Sequence, residues 1–316
     1  MQVKQTQQPQ AASAPLIDFD ETRFDPWRIQ AVTHGLVGHP LLQMGALVAL
    51  GERLETRGSI RTHGNDAAAG TPFGEAPLLH PNSKSAAATL SDVAHARAWM
   101  SLLNVQADPI YRSLVGEVLD SIQPVIDRHD PGMNNRGGWI FVTSPNTVTP
   151  FHFDKEHNFI LQVQGRKRIY VWEPDDVVVA SEPARDRFHH CHKRDRLQWR
   201  EEFRERARVF DLEPGQGAYM PSTSPHLVEN GDGPSITISL TYYTHATRRD
   251  ALLHKAHEMM RGIGLRPSPV GTSPVLDALT CASVLSAMRC REWLAGFAGK
   301  RETGPRARFA PLPAGA

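Results

Sequence analysis

The feature that most constrains this chain is a change of hydrophobic period near Gly137. Beyond it lie short β-rich runs at Trp139 to Thr143, Phe151 to Phe153, Asn158 to Gln164, Arg168 to Trp172, Arg208 to Leu212, Ala218 to Met220 and Ser235 to Thr244. Turn chemistry separates them: Gly165, Glu213-Pro214-Gly215-Gln216 and Asn230-Gly231-Asp232-Gly233. Strands this short, with no regular alternation of strand and helix, do not build a parallel, doubly wound sheet. They imply an antiparallel sandwich or barrel.

Helical patterning flanks this β region. The clearest helix opens at Asp108-Pro109, an N-cap with proline at the first helical position, and carries Ile110, Leu114, Val118, Ile122 and Ile126 on one face, with Pro124 expected to kink its last turn. After Thr244 the period returns to helix, with Leu252, Leu253, Met259 and Met260 in one segment. Ser273-Pro274 opens a second, whose apolar face is Val275, Ala278, Leu279, Ala282 and Leu285. The expected organisation is a disordered stretch over 1–20, a helical flank over 21–136, the β core over 137–245, helices over 246–300 and a disordered tail over 301–316. A stretch over 174–206 interrupts the strand run, contains a charged helical piece from Trp199 to Ala207, and is the natural place for a substrate lid.

Charge narrows the partners. Lys plus Arg number 35 against 34 Asp plus Glu, so the chain lacks the global electrostatic footprint of a nucleic-acid or anionic-membrane binder. Basic residues outnumber acidic ones between Arg185 and Arg208, a mild excess read as a solvated helix face. Cys191, Cys281 and Cys290 are odd in number and unpatterned, which argues against a disulfide framework. The opening MQVKQTQQPQAASAP has neither the charged nor the apolar region of a secretion signal, and the most apolar stretch, Gly35 to Gly51, is broken by His39, Pro40 and Gln43. The expectation is a cytoplasmic protein without a membrane span, that stretch being a buried helix.

The chemistry concentrates in Thr149-Pro150-Phe151-His152-Phe153-Asp154 and in His226, which ends Met220-Pro221-Ser222-Thr223-Ser224-Pro225-His226. Residues two apart on a strand share a face, so His152 and Asp154 can reach one ion while Phe153 points away. A second histidine from a distant strand completes two imidazoles and one carboxylate, the set that leaves positions open on non-haem Fe(II) for 2-oxoglutarate and O₂. The distal carboxylate of that cosubstrate needs a cation and a hydroxyl, because a buried unpaired charge is strongly unfavourable. Lys167, alternating with Ile169 and Val171 on an otherwise apolar face, and Thr149 are residues of the right type.

Together with Asn158-Phe159, Gln162-Val163-Gln164-Gly165, Lys167-Arg168 and the Ile236-Thr237-Ile238 strand, these residues resemble the cupin-like JmjC hydroxylases, the group containing the asparaginyl hydroxylase that inhibits hypoxia-inducible factor. The resemblance covers about residues 137 to 244. It implies a double-stranded β-helix, or jelly roll, with His152, Asp154 and His226 as iron ligands. Lys167 and Thr149 would bind the distal carboxylate of 2-oxoglutarate, with Asn158 assisting. Thr241 stands where that pattern has an asparagine near the cosubstrate, and the tyrosine that binds the distal carboxylate there has no counterpart placed here. The resemblance also implies a homodimer through the C-terminal helices.

The expected activity is hydroxylation of a protein or peptide side chain or an amino-acid-derived small molecule, with release of succinate and CO₂. Because Asp154 is present, the open coordination site that halogenases use for chloride is not created. The competing readings are a metal-binding cupin without oxygenase activity and a catalytically silent binding protein; a cosubstrate role for Lys167 separates them from the enzyme. His189-His190-Cys191-His192 has no second ligand cluster at zinc spacing and reads as an exposed polar loop, and His157 as an exposed turn histidine. Trp139, Phe159, Tyr170 and Trp172 read as core.

Overall fold

The computed structural model describes residues 16–297. In chain order it contains β1 (Ile17–Asp18), β2 (Gln30–His34), α1 (Met44–Glu55), β3 (Ile60–Gly64), α2 (Ala76–Leu79), α3 (Ala86–Ser91), β4 (Ala98–Leu102), α4 (Pro109–His129), β5 (Asn134–Thr143), β6 (Val148–His152), β7 (His157–Gln164), β8 (Lys167–Val171), α5 (Glu182–Cys191), β9 (Arg208–Leu212), β10 (Gln216–Met220), β11 (His226–Asn230), β12 (Ser235–Tyr243), α6 (His245–Gly262) and α7 (Pro274–Phe297).

The strands form two antiparallel sheets, an eight-stranded one ordered β1-β2-β10-β7-β12-β5-β4-β3 and a four-stranded one ordered β6-β11-β8-β9. This is the expected mainly β jelly roll with helical flanks. Alternation along β12 shows how the layers are built. Ile236, Ile238, Leu240 and Tyr242 face a large core shared with Leu114, Val118, Ile122 and Ile126 of α4, whereas Thr237, Ser239 and Thr241 face the other way, toward the small sheet. Between the sheets, Ile160, Ile169, Val171, Ala218, Met220 and Val228 make a second, smaller core. The large sheet is thus covered on both faces, one by helices and one by the small sheet, which makes its central strands almost continuously buried.

Local chemistry supports these elements. The Asp108 side chain accepts from the Ile110 amide at 3.1 Å, capping α4, and α4 buries its expected face except for Ile110, which is exposed. Pro124 lies inside that helix, which runs on to His129. Thr244 and Thr247 form a reciprocal capping box at the start of α6. Gly165, at φ +73°, turns the β7–β8 hairpin where an added Cβ would lie 2.2 Å from the Pro234 carbonyl oxygen.

Several expectations are corrected. The region 21–136 is not a purely helical flank: β2, β3 and β4 lie in it and extend the large sheet on both edges. Their partners β10 and β5 are far away in sequence, so no local pattern announced the pairing. Ile17–Asp18 pairs with β2, inside the stretch expected to be disordered; residues 1–15 of that stretch and the tail 301–316 fall outside the described residues. The apolar stretch 35–51 becomes helical only from Pro40 and Met44 onward. The insertion holds α5 and a short 3-10 turn, Glu201–Arg206, in place of the longer helix expected from Trp199. On α7, Val275, Leu279 and Leu285 are exposed, so the expected apolar stripe is not covered by the described remainder of this chain. Among the described residues the cysteines are free, and no helix is long and apolar enough to cross a membrane.

Candidate metal centre

Three strands bring the expected triad together. His152 ends β6 and pairs directly with His226, which opens β11, while His226 pairs on its other side with Val171 of β8. A register shift between His226 and Val228 accompanies this placement. Asp154 lies just past β6, where its carbonyl oxygen accepts from the Thr223 amide at 2.8 Å. One Asp154 carboxylate oxygen, Oδ2, stands 3.6 Å from His152 Nε2 and 3.9 Å from His226 Nε2, and one donor atom from each of the three residues falls within 4.8 Å of the others.

The protonation pattern suits a cation. His152 Nδ1 lies 2.8 Å from the Pro150 carbonyl oxygen and His226 Nδ1 lies 3.1 Å from that of Ser224. Each Nδ1–H donates to backbone, which leaves both Nε2 lone pairs facing Asp154. Burial, which outweighs the neighbouring carboxylate, lowers the pKa of His152. Burial and then the field of His152 push His226 down to about 3. Burial works to raise the Asp154 pKa, but His152, Arg194 and His226 outweigh it and hold the group well below the usual carboxylate range. Two neutral imidazoles and an anion thus converge, at separations too long for hydrogen bonds, with no proton to share. A cation at the centre resolves that arrangement, and two histidines with one carboxylate fit Fe(II).

The groups around the triad include residues that sequence reasoning did not single out. Arg194 donates from Nη2 to Asp154 Oδ1 at 2.7 Å and from Nε to the Phe153 carbonyl oxygen at 2.9 Å. It therefore holds the carboxylate oxygen that faces away from the histidines. This corrects the reading of the basic insertion as a solvated face: Arg194 comes from that insertion and is largely buried. Phe73 stacks on the His152 ring at 3.8 Å between centroids and 5° between planes, and the Arg61 guanidinium lies over the Phe73 ring, 4.3 Å from its centroid. Both reach the site from segments with no motif of their own.

The expected cosubstrate residues line the space between the sheets. Lys167 and Asn230 are cross-strand partners, as are Ile169 and Val228, and Val171 and His226. Lys167 therefore shares a face with His226, four residues along β8 from the position opposite it, or about 13 Å. Lys167 is 5% exposed, burial pushes its pKa down to about 7, and among the described residues it has no salt-bridge partner. Thr149, paired with Val228, lies on the same face and accepts from Trp99 Nε1 at 2.7 Å. From the large sheet, Asn158 and Thr241 are cross-strand partners that face inward, and Asn158 Oδ1 accepts from Ser239 Oγ at 2.6 Å. Buried oxygens of Ser101, Thr143 and Asn230 lack hydrogen-bond partners among the described residues. Trp99 and Asn230 were not anticipated; the Trp99 indole next to Thr149 becomes visible only once β4 joins the sheet.

Two histidine expectations are also corrected. His157 is fully buried, with Nδ1 2.8 Å from the Tyr219 hydroxyl and Nε2 3.3 Å from Asp130. His189 is buried at the end of α5, while His192 caps that helix in a left-handed conformation, so the run His189 to His192 is not an exposed loop. Phe159 and Trp172 are core as expected, but Trp139 is only half-buried.

Fold and geometry together define a jelly roll with two histidines and a carboxylate converging at the end of its small sheet. The chain belongs to the family described as "Cupin-like domain", whose profile matches residues 81–248; this is the group to which the sequence resemblance pointed. No curated protein sequence matches it significantly. Among solved structures, the ribosomal oxygenase YcfD of Escherichia coli, in complex with cobalt and 2-oxoglutarate, is similar at 16% identity and a TM-score of 0.34, covering 61% of this chain and 47% of its own. An oxalate decarboxylase of Bacillus subtilis is similar at 19% identity and a TM-score of 0.24, covering 35% of this chain and 22% of its own. The matched part therefore spans about half the length of the ribosomal oxygenase.

Proposed function

We propose that this chain is an Fe(II)- and 2-oxoglutarate-dependent dioxygenase that hydroxylates an organic substrate, either a protein or peptide side chain or an amino-acid-derived small molecule, and releases succinate and CO₂. His152, Asp154 and His226 would hold the metal, with Arg194 fixing the free oxygen of the carboxylate. The single observation that carries the oxygenase reading is Lys167, a buried ammonium with no salt-bridge partner among the described residues, on the metal's face of the small sheet. A metal-binding cupin without a cosubstrate has no need of that charge, and it costs stability until an anion meets it.

The roughly 13 Å along β8 between Lys167 and the position facing His226 is a span that a lysine side chain and a five-carbon dicarboxylate cover together. Thr149 supplies a hydroxyl on β6, across β11 from the lysine's strand, held by Trp99, and Asn158 with Thr241 supplies polar groups from the opposite sheet. When bound, iron and 2-oxoglutarate supply the oxidation chemistry; the chain's part is to hold both, to shield the pocket and to orient the substrate. Phe73, stacked on His152, and the insertion, through Arg194 on Asp154, each cover one of the three ligand residues.

The test is anaerobic titration of the metal-free protein with Fe(II) and then 2-oxoglutarate, followed by a substrate screen for succinate release. A metal-to-ligand absorption band that develops only with both additions supports the proposal. Fe(II) binding with no band at saturating 2-oxoglutarate would leave a metal-binding cupin and remove the oxygenase.

A further inference from the structure

We propose a second metal site, distinct from the triad, that clasps α5 to α6 with a divalent ion of the zinc class bound by Glu182, Asp186, His254 and His257. On α5, Glu182 and Asp186 are one helical turn apart; on α6, His254 and His257 are as well, so each helix offers two ligands from one face. One donor atom from each of Glu182, Asp186 and His254 lies within 4.8 Å of the other two, and His257 Nδ1 is 4.0 Å from Asp186 Oδ1. Bonds of about 2.0 to 2.2 Å to a central ion would draw the three grouped donors together by about 1 Å, and side-chain rotation would bring His257 in as the fourth.

The hydrogen bonds divide the carboxylate oxygens into held and free. Arg261 Nε donates to Asp186 Oδ2 at 2.7 Å and Arg185 Nη1 donates to Glu182 Oε1 at 3.1 Å. Asp186 Oδ1 and Glu182 Oε2 are left free of these arginines. Among the described residues the first receives His254 Nδ1, at 2.8 Å, and the second is buried without a hydrogen-bond partner. His257 Nδ1 is likewise buried without a partner, on a residue 4% exposed. A purely structural ion-pair cluster has no reason to bury an orphan imidazole nitrogen and an orphan carboxylate oxygen, since each is costly when unsatisfied. Two imidazoles and two carboxylates with outer oxygens held by arginine are a ligand set that zinc accepts. Arg185 also lies in the field of Asp175 and Asp176, which offsets its charge beside the ion.

The site has a consequence for the triad. Phe188 of α5 packs edge-to-face on Phe153 at 4.9 Å, between the ligand positions His152 and Asp154, and lies under the Arg194 guanidinium at 4.2 Å. An ion that fixes α5 on α6 fixes one wall of the active centre.

The experiment measures Zn(II) binding to chelator-stripped full-length chain by equilibrium dialysis with metal analysis, and repeats it with Co(II) to read the visible absorption of a four-coordinate site. Wild type should take two equivalents of Zn(II). The double variant His152→Ala/His226→Ala should retain one, with a metal-dependent rise in Tm and the Co(II) bands. Glu182→Gln, which keeps the shape of the side chain, should retain only the triad's equivalent, with affinity at the clasp down by more than about 100-fold. Failure of the double variant to bind metal, with wild type taking a single equivalent, would overturn the clasp and leave the dioxygenase proposal untouched. Binding to the double variant that neither Glu182→Gln nor His257→Gln weakens would overturn it as well.

Discussion

Replacing Lys167 by methionine separates a cosubstrate anchor from a structural lysine, because methionine keeps an apolar stem and removes only the charge. The fall of the Lys167 pKa from 10.5 to about 7 on burial corresponds to roughly 5 kcal/mol against the charged form. Between those two values the unfolded chain binds a proton that the folded chain does not, so stability rises with pH across that window. The cost is full below about pH 7 and absent above 10.5. Without cosubstrate, Lys167→Met should therefore be more stable than wild type at pH 6, by up to a few kcal/mol, and the advantage should shrink steadily toward pH 10. With cosubstrate the order reverses. Truncating one partner of a buried charge pair costs about 2 to 5 kcal/mol, so the 2-oxoglutarate Kd should rise by roughly 30- to 4000-fold while Fe(II) still binds. Urea melts at several pH values give the first quantity and the anaerobic absorption titration gives the second. An unchanged cosubstrate Kd would place the anion elsewhere, and a variant less stable than wild type at every pH would make Lys167 a packing residue.

His226→Ala should abolish stoichiometric Fe(II) binding at the triad and all turnover, because one imidazole and one carboxylate are too few ligands; unchanged Fe(II) affinity in dialysis would contradict the triad. Arg194→Met should weaken Fe(II) binding by about 10- to 100-fold through the loss of the group that orients Asp154, with Arg194→Lys recovering part of it in the same titration. Gly165→Ala should destabilise the fold by at least about 1 kcal/mol in urea melts, since φ is +73° and the new Cβ would meet the Pro234 carbonyl oxygen at 2.2 Å; a neutral effect would mean that the hairpin relaxes freely.

The candidate triad and the place of Lys167 on its face were legible because strand geometry is local. His152 and Asp154 are two apart, Lys167 alternates with Ile169 and Val171, and the turn residues at 165 and 213–216 bound the strands that carry or support them. The β core could be read for the same reason, since period two and turn chemistry are written within a few residues of each strand. His157 was misjudged because its position before a strand says nothing of Asp130 and Tyr219, which bury it. Arg194 sat in a charged run whose composition is that of a solvated surface, and only its approach to Asp154 distinguishes it from Arg196 or Arg200.

What the sequence by itself determined is which faces of which strands are polar and which apolar, and hence a sandwich with a histidine-carboxylate motif at the end of one strand. The tertiary structure alone decided that β2, β3 and β4 join the large sheet, that Trp99 reaches Thr149, and that α5 meets α6 through opposed acidic and histidine faces. The physical reason is the reach of the forces involved. Backbone periodicity and turn propensity act over a few residues and leave a trace in the local pattern, whereas strand pairing across a hundred residues, ion pairing in a buried site and helix docking depend on surfaces that exist only after the chain has collapsed.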